Sequence, residues 1–218
     1  MRHLAPLIAA ALLAPQAADA HPHVFVQAGV DIVFDRKGRL THIKVTWGYD
    51  AFYSLLIAED KGLDKDGDGA LTKREERKLA GFDAKWAPGF NGDLVAKLDG
   101  QPLKLSGPMK STATMVNGQI VSTHIREVTG NPLVGGDTLS VQAFDESYYT
   151  SYELTLPVRL IGNGQCAIRR VEPDIDNELA QMEAMLLSID ADADLEEMDI
   201  PMLGEAFATE ILVSCPST

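Results

Sequence analysis

Hydrophobic and polar residues alternate along Val24–Phe34. Val24, Val26, Ala28, Val30, Ile32 and Phe34 fall on one side, and His23, Phe25, Gln27, Gly29 and Asp31 on the other. A period of two is that of a half-buried strand. The turn-forming run DRKGR follows, and RLTHIKVTW then alternates again, with Thr41, Ile43, Val45 and Trp47 on the core side. The two segments pair as a hairpin with Lys37-Gly38 at its tip. In that register Ile32 faces Ile43, Val30 faces Val45, and Asp31 meets Lys44 on the outer side as an opposite-charge pair. The same register carries His21 and His23 toward Tyr49 and Asp50, on the solvent side.

Residues 50–62 then take helical spacing through Phe52, Leu55, Leu56 and Glu59, and a second helix is predicted from Lys73 to Ala80. From about Leu94 the pattern returns to strands: LVAKLDG, QPLKLS, QIVSTHIREV, TLSVQAF, YELTLPVRL and CAIRRV, punctuated by Asn, Gly and Pro. PDIDNELAQMEAMLLSI reads as an amphipathic helix with Leu179, Met182, Leu186 and Ile189 on one stripe. An acidic stretch from Asp190 to Asp199 follows, and ATEILVSC closes the chain as a last strand. The predicted class is α+β: mainly antiparallel β, as a sandwich or open barrel, with an inserted helix-loop-helix and a C-terminal helix before the last strand.

Between the first two helices lies the sharpest motif. Asp64, Asp66, Asp68, Gly69, Ala70, Thr72 and Glu75 occupy the diagnostic places of a twelve-residue EF-hand loop. Three carboxylates, the Ala70 carbonyl, a water bridged at Thr72 and two Glu75 oxygens make the hard-oxygen shell that Ca²⁺ takes. Gly69 allows the sharp turn, and Leu71 anchors the loop to the core. EF-hands usually occur in pairs, and the other acidic segments lack the glycine at the sixth place. A lone site is expected to be structural and of modest affinity, Kd on the order of 10⁻⁴–10⁻³ M.

The start of the chain changes where this domain is placed. Arg2, the apolar run from Leu4 to Ala14, and Ala18-Asp19-Ala20 have the layout of a secretory signal cut after Ala20. Residues 1–20 are thus expected to be a signal peptide, and 21–218 a single β-rich domain with the EF-hand-like insertion at about 50–82. No later stretch is apolar enough to span a membrane, so the protein is not expected to be integral to one. The net charge is −13 over 218 residues, which repels nucleic acid and anionic lipid and suits cations. Two cysteines, Cys166 and Cys215, in an oxidising compartment point to one disulfide; a thiolate metal site would need more ligands.

Cleavage after Ala20 would make His21 the first residue. Its amine and imidazole, with His23 two residues on along the same strand face, are donors suited to Zn²⁺, Ni²⁺, Co²⁺ or Cu²⁺. Pro22 has no amide hydrogen to lose, which blocks the square-planar copper mode that needs the second residue's backbone nitrogen. Asp50 is a candidate for completing the shell. Asp145, in the acidic and tyrosine-rich FDESYYTSYE, is a further candidate. His42 and His124 are expected to point outward as solvated surface residues.

Five segments together carry a resemblance: HPHVFV, VTWGYDAFYSLL, GLDKDGDGALT, FDESYYTSYEL and the two late cysteines. With these the chain resembles a bacterial periplasmic family known as domain of unknown function 1007, over the whole mature length. The resemblance implies a periplasmic component of a metal transport system, encoded near nickel/cobalt- or zinc-type permeases, and no established catalytic residues. The expected function is transition-metal capture or delivery beside a membrane metal permease or ABC-type transporter, with a structural Ca²⁺ and no enzymatic activity. Two other readings stand beside it. One is a copper-dependent oxidative enzyme using the amino-terminal histidine, with its third nitrogen from His23, His42 or His124. The other is a calcium-stabilised structural or adhesion module. No hydrolase triad, zincin motif or phosphate-cradling glycine loop is present.

Overall fold

The computed structural model describes residues 23–162, 165–187 and 203–217. His21 and the acidic stretch from Asp190 to Asp199 lie outside the described residues. The first strand, β1 (Val24–Phe34), and β2 (Leu40–Tyr49) form the expected hairpin, with Val30 opposite Val45, Asp31 opposite Lys44 and Ile32 opposite Ile43. Val26, Ala28, Val30, Ile32 and Phe34 are buried, as period two requires. On the outer side Asp31 receives Lys44 at 3.9 Å and Arg159 at 2.7 Å.

Two helices follow. α1 (Ala51–Lys61) starts at Asp50, whose side chain accepts from the Tyr53 N–H, and ends at Gly62 in the left-handed conformation. α2 (Lys73–Leu79) starts in a capping box between Thr72 and Glu75. α1 buries its small residues, Ser54 and Ala58, and leaves Phe52, Leu55 and Leu56 exposed. The serine hydroxyl accepts from the Ile120 N–H at 2.9 Å, which ties the helix to β6, while Tyr53 and Ile57 pack against the core.

Strands fill most of the remainder: β3 (Leu94–Leu98), β4 (Gln101–Pro102), β5 (Met109–Val116), β6 (Gln119–Glu127), β7 (Thr138–Ala143), β8 (Thr150–Glu153), β9 (Val158–Ile161) and β10 (Ala167–Val171). Then come α3 (Ile175–Leu187), α4 (Leu203–Ala206) and β11 (Glu210–Ser214). They assemble into two open sheets. One runs β5-β6-β2-β1-β8, with β9 also on β1, and the other runs β10-β11-β7-β3-β4. Residues from both sheets form one core, in which Ile32, Leu40, Ile43, Leu139 and Ile211 are among the fully buried side chains. The class is therefore α+β with mostly antiparallel strands, in open sheets rather than a closed barrel.

Three features differ from expectation. β5 was not anticipated. YELTLPVRL is two strands, not one, because Pro157 cannot donate to a ladder; β8 and β9 both run parallel to β1 on either side of that break. The chain there passes so close to Gly29 that a Cβ would lie 2.7 Å from Leu156 Cβ. The apolar stripe expected of α3 is also not buried at its start, where Ile175 and Leu179 are exposed. Cys166 and Cys215 are disulfide-bonded and flank the β10–β11 ladder, as the count implied.

Candidate functional site

The loop between α1 and α2 has the shape a cation needs. Carboxylate oxygens of Asp64, Asp66 and Asp68 lie within 4.8 Å of one another. The Gly69 N–H donates to the Asp64 carboxylate and the Ala70 N–H to Asp68. Glu75 reaches both ends of the loop, accepting from the Asp64 N–H at 3.2 Å and the Thr72 N–H at 3.0 Å. These hydrogen bonds, the Thr72 hydroxyl's first, hold its carboxyl below the usual range. Gly69 has φ +75° and its carbonyl accepts from the Gly118 N–H, which docks the loop on the β5–β6 turn. Leu71 packs against the core as expected. The donor set is all hard oxygen and fits Ca²⁺.

At the amino terminus, the His23 N–H donates to the Tyr149 carbonyl at 2.9 Å, and the two rings lie 5.0 Å apart. Asp50 is nearby in the chain path, but both of its oxygens hold backbone: one caps α1, and the other accepts from the Phe25 N–H at 3.0 Å. Asp145 is engaged likewise, by the Ser147 N–H and hydroxyl and by the Thr150 N–H. Among the described residues, no group of three ligating side chains includes His23, Asp50 or Asp145.

His23 instead stands at the mouth of a cavity of about 680 Å³. Trp47 and Tyr49 of β2 form one wall, and Phe52, Tyr53 and Leu56 of α1 another. Asp83, Trp86 and Asp93 enter from residues 80–93, which link α2 to β3, and Tyr152 enters from β8. Each carboxylate takes a phenol. Tyr49 donates to Asp83 at 2.8 Å, and Tyr152 donates to Asp93 at 2.7 Å. Burial, with the neighbouring carboxylate second, pushes both phenols well above their ordinary range, so they remain donors. Ser122 also donates to Asp83.

Behind this wall runs an inward-facing polar row on β6. Ser122, His124 and Arg126 are buried, His124 being only 3% exposed, which overturns the expectation that His124 points outward. The reason is register. Trp47, Val45 and Ile43 face the core, and Ser122, His124 and Arg126 lie opposite them in the ladder and share their side of the sheet. Residues 80–93 then cover the row. Arg126 donates to the carbonyls of Ser106 and Asn91 and lies 4.6 Å over the Trp86 ring. Its burial brings the guanidinium down to about 10, still charged at neutral pH. His124 meets Trp86 edge-on at 5.6 Å, and no hydrogen-bond partner reaches its Nε2 among the described residues. Burial outweighs the pull of Asp83 and lowers its imidazole to about 4, so it is neutral at pH 7. His42 is half-buried and accepts or donates at Nδ1 with the Thr41 hydroxyl, outside this cluster.

Residues 6–215 match the model of a family described as a protein of unknown function, DUF1007. The chain belongs to this family. No curated protein matches it. The family therefore identifies the chain without assigning it chemistry, and the site has to be read from its own residues. Among the described residues, no helix is long and apolar enough to cross a membrane.

Sequence reasoning missed Asp83, Trp86 and Asp93, and set His124 on a solvated face. One signal was available: Ser122, His124 and Arg126 share their alternate positions with the apolar Ile120 and Val128, which are buried. Asp93 is the most testable of the four. Burial raises its carboxyl from 3.8 to about 6, against the lowering effect of the Tyr152 hydroxyl. A carboxyl raised on folding binds its proton more tightly in the native state, so it costs stability as pH rises from about 4 to about 6. Asp93→Asn removes that cost. Relative to the parent, the variant should gain about 2–3 kcal/mol between pH 4 and pH 6.5 in urea unfolding. A difference that stays constant with pH would show that Asp93 is not strained by burial. His124 has the opposite sign, since a histidine lowered on folding loses its contribution as pH falls from 6.5 to about 4. The two slopes oppose each other in the parent, and the variant should therefore show the rise due to His124 uncovered.

Proposed function

We propose that the protein is an exported, calcium-stabilised metal-binding accessory of a transition-metal transport system, with residues 1–20 removed as a signal peptide. The observation that carries this reading is the convergence of Asp64, Asp66 and Asp68 within 4.8 Å on a loop that Glu75 spans from end to end. Ala70, through its carbonyl, and Thr72, through a water, would add oxygens to the same ion. The helix α1 connects this loop to the amino terminus. Gly62, its C-cap, leads into the loop, and Asp50, its N-cap, holds the Phe25 N–H two residues beyond His23. An ion that orders the loop thus steadies the helix that frames His23.

His23, with His21 and its amine before it, offers nitrogen donors of the kind Zn²⁺, Ni²⁺ and Co²⁺ take. With Asp50 and Asp145 engaged by backbone groups, these nitrogens are the main donors. The Cys166–Cys215 bond accords with an oxidising compartment such as the periplasm. A membrane permease or ABC-type transporter as partner rests on the family resemblance.

Calorimetric titration of the processed protein, beginning at His21, tests both sites together. Calcium chloride should titrate one site with Kd on the order of 10⁻⁴–10⁻³ M, lost in Glu75→Gln. Zinc, nickel or cobalt chloride should titrate a second, lost in the His21→Ala, His23→Ala double variant while calcium binding is retained. Equal transition-metal binding by parent and double variant would remove the histidine site. Calcium binding unaffected by Glu75→Gln, or absent altogether, would remove the loop site.

A further inference from the structure

We propose that the cavity behind His23 is a binding site for a small organic ammonium ion, one whose charge is clothed in methyl or methylene groups. This does not rest on the transition-metal reading, since it uses different side chains and a different ligand.

The charge of the ligand follows from the walls. Asp83 and Asp93 both line the cavity, and no lysine or arginine among the described residues does. Neither carboxylate forms an ion pair with a lysine or arginine among the described residues. Both are half-buried, and each has only phenol or serine hydroxyls as side-chain donors among the described residues; holding a carboxylate partly out of water without a cation is costly. An anion would meet two like charges. A neutral apolar ligand would strip remaining water from both carboxylates and give them nothing in return. A cation relieves both.

Its size and surface follow from the volume and the rings. A cavity of about 680 Å³ falls in the range of small organic ligands and is far larger than a bare ion. Among the described residues it also lacks the cluster of three ligating groups that a bare metal needs. What it has in abundance is aromatic surface. Trp47 packs on Tyr152 at 5.0 Å, and Tyr49 on Tyr53 at 5.3 Å. Ring faces attract cations through their quadrupole, most effectively for weakly hydrated ammonium groups, which retain favourable apolar contact.

Trp86 is held ready for this role. Its Nε1–H donates to the Asp83 carbonyl at 2.8 Å, Arg126 covers one face, and His124 and Phe90 stand perpendicular to the ring. A ring fixed before the ligand arrives spends none of the binding energy on ordering. Phe52, Phe90 and Tyr149, each roughly half exposed or more, ring the entrance. They give an apolar ligand surface something to cross on its way in.

The chain contains two tryptophans, Trp47 and Trp86, and both line the cavity, so tryptophan emission, excited selectively over tyrosine, reports on it. The processed full chain, in calcium chloride and free of transition metals, is titrated with choline chloride. Its neutral isostere 3,3-dimethylbutan-1-ol and ammonium chloride are titrated in parallel. Choline should change the emission saturably and bind at least about tenfold tighter than the isostere. Ammonium, which is strongly hydrated and has no apolar surface, should bind more weakly than choline. Asp83→Asn and Asp93→Asn should each weaken choline binding by about tenfold or more while leaving the isostere unchanged. Equal binding of choline and its isostere would mean an uncharged apolar cleft, and the proposal would fail. So would the absence of a saturable response to choline, ammonium binding as tightly as choline, or choline binding unaltered in both variants. Because no transition metal is present, failure here leaves the histidine site standing, and the reverse is equally true.

Discussion

Gly92→Ala should destabilise the protein by about 3 kcal/mol and shift its tryptophan emission to the red. Gly92 has φ +72°, a conformation that costs an alanine about 1 kcal/mol. The larger effect is steric. A Cβ there would sit 2.3 Å from Trp86 Cη2 and 2.7 Å from two further ring carbons. The ring cannot turn aside cheaply, because Asp83 holds its nitrogen and Arg126 lies over its face. Overpacking of a confined ring typically adds about 2 kcal/mol. Urea unfolding gives the loss, and the emission maximum reports Trp86 leaving its slot. A variant within about 0.5 kcal/mol of the parent, with unchanged emission, would show that the wall of the cavity is soft.

The Cys166→Ser, Cys215→Ser double variant should lose about 4 kcal/mol, the chain-entropy value for a loop of this length. The sequence separation is 49, and the bond joins the two ends of one ladder pair, Ala167 opposite Ser214. β10 is the edge of its sheet, and four of its five residues are exposed. Few buried apolar contacts hold it, so its attachment depends on the ladder and on the covalent link. Amide exchange should therefore accelerate in Ala167–Val171 well before it does in β1 or β2. Uniform acceleration, or a loss under about 1 kcal/mol, would place the stabilisation elsewhere.

How much of this was legible depended on whether the information was local. The β1–β2 register follows from period two and a glycine turn, and it appears as expected from Val26 to Val33; a bulge then sets Phe34 opposite Leu40, so that Leu40 and not Thr41 is buried. The limits of α1 and α2 follow from Asp50, Gly62 and Thr72, whose capping chemistry acts within a few positions. The convergence of Asp64, Asp66 and Asp68 was legible for the same reason. The cavity was not. Trp47, Tyr53, Asp83, Asp93 and Tyr152 come from four separate stretches, and no spacing within any one of them announces a wall. Residues 80–93 have no periodicity, and the side of β6 that faces inward is polar because those residues cover it. His124 was misassigned through treating its polar neighbours as a solvated face, when Asp83 and the carbonyls of Ser106 and Asn91 were there to satisfy them. The two parallel pairings of β1 were equally invisible, since they join positions more than a hundred residues apart.

Those pairings have a consequence for how the chain reaches its final state. β1 is the earliest strand, yet one of its flanks is completed only by β8 and β9. Synthesis must pass Ile161 before that edge can close, and contacts of such long range slow folding. A chain proposed to be exported gains from that delay, because an open edge at its leading strand keeps it threadable until it has crossed.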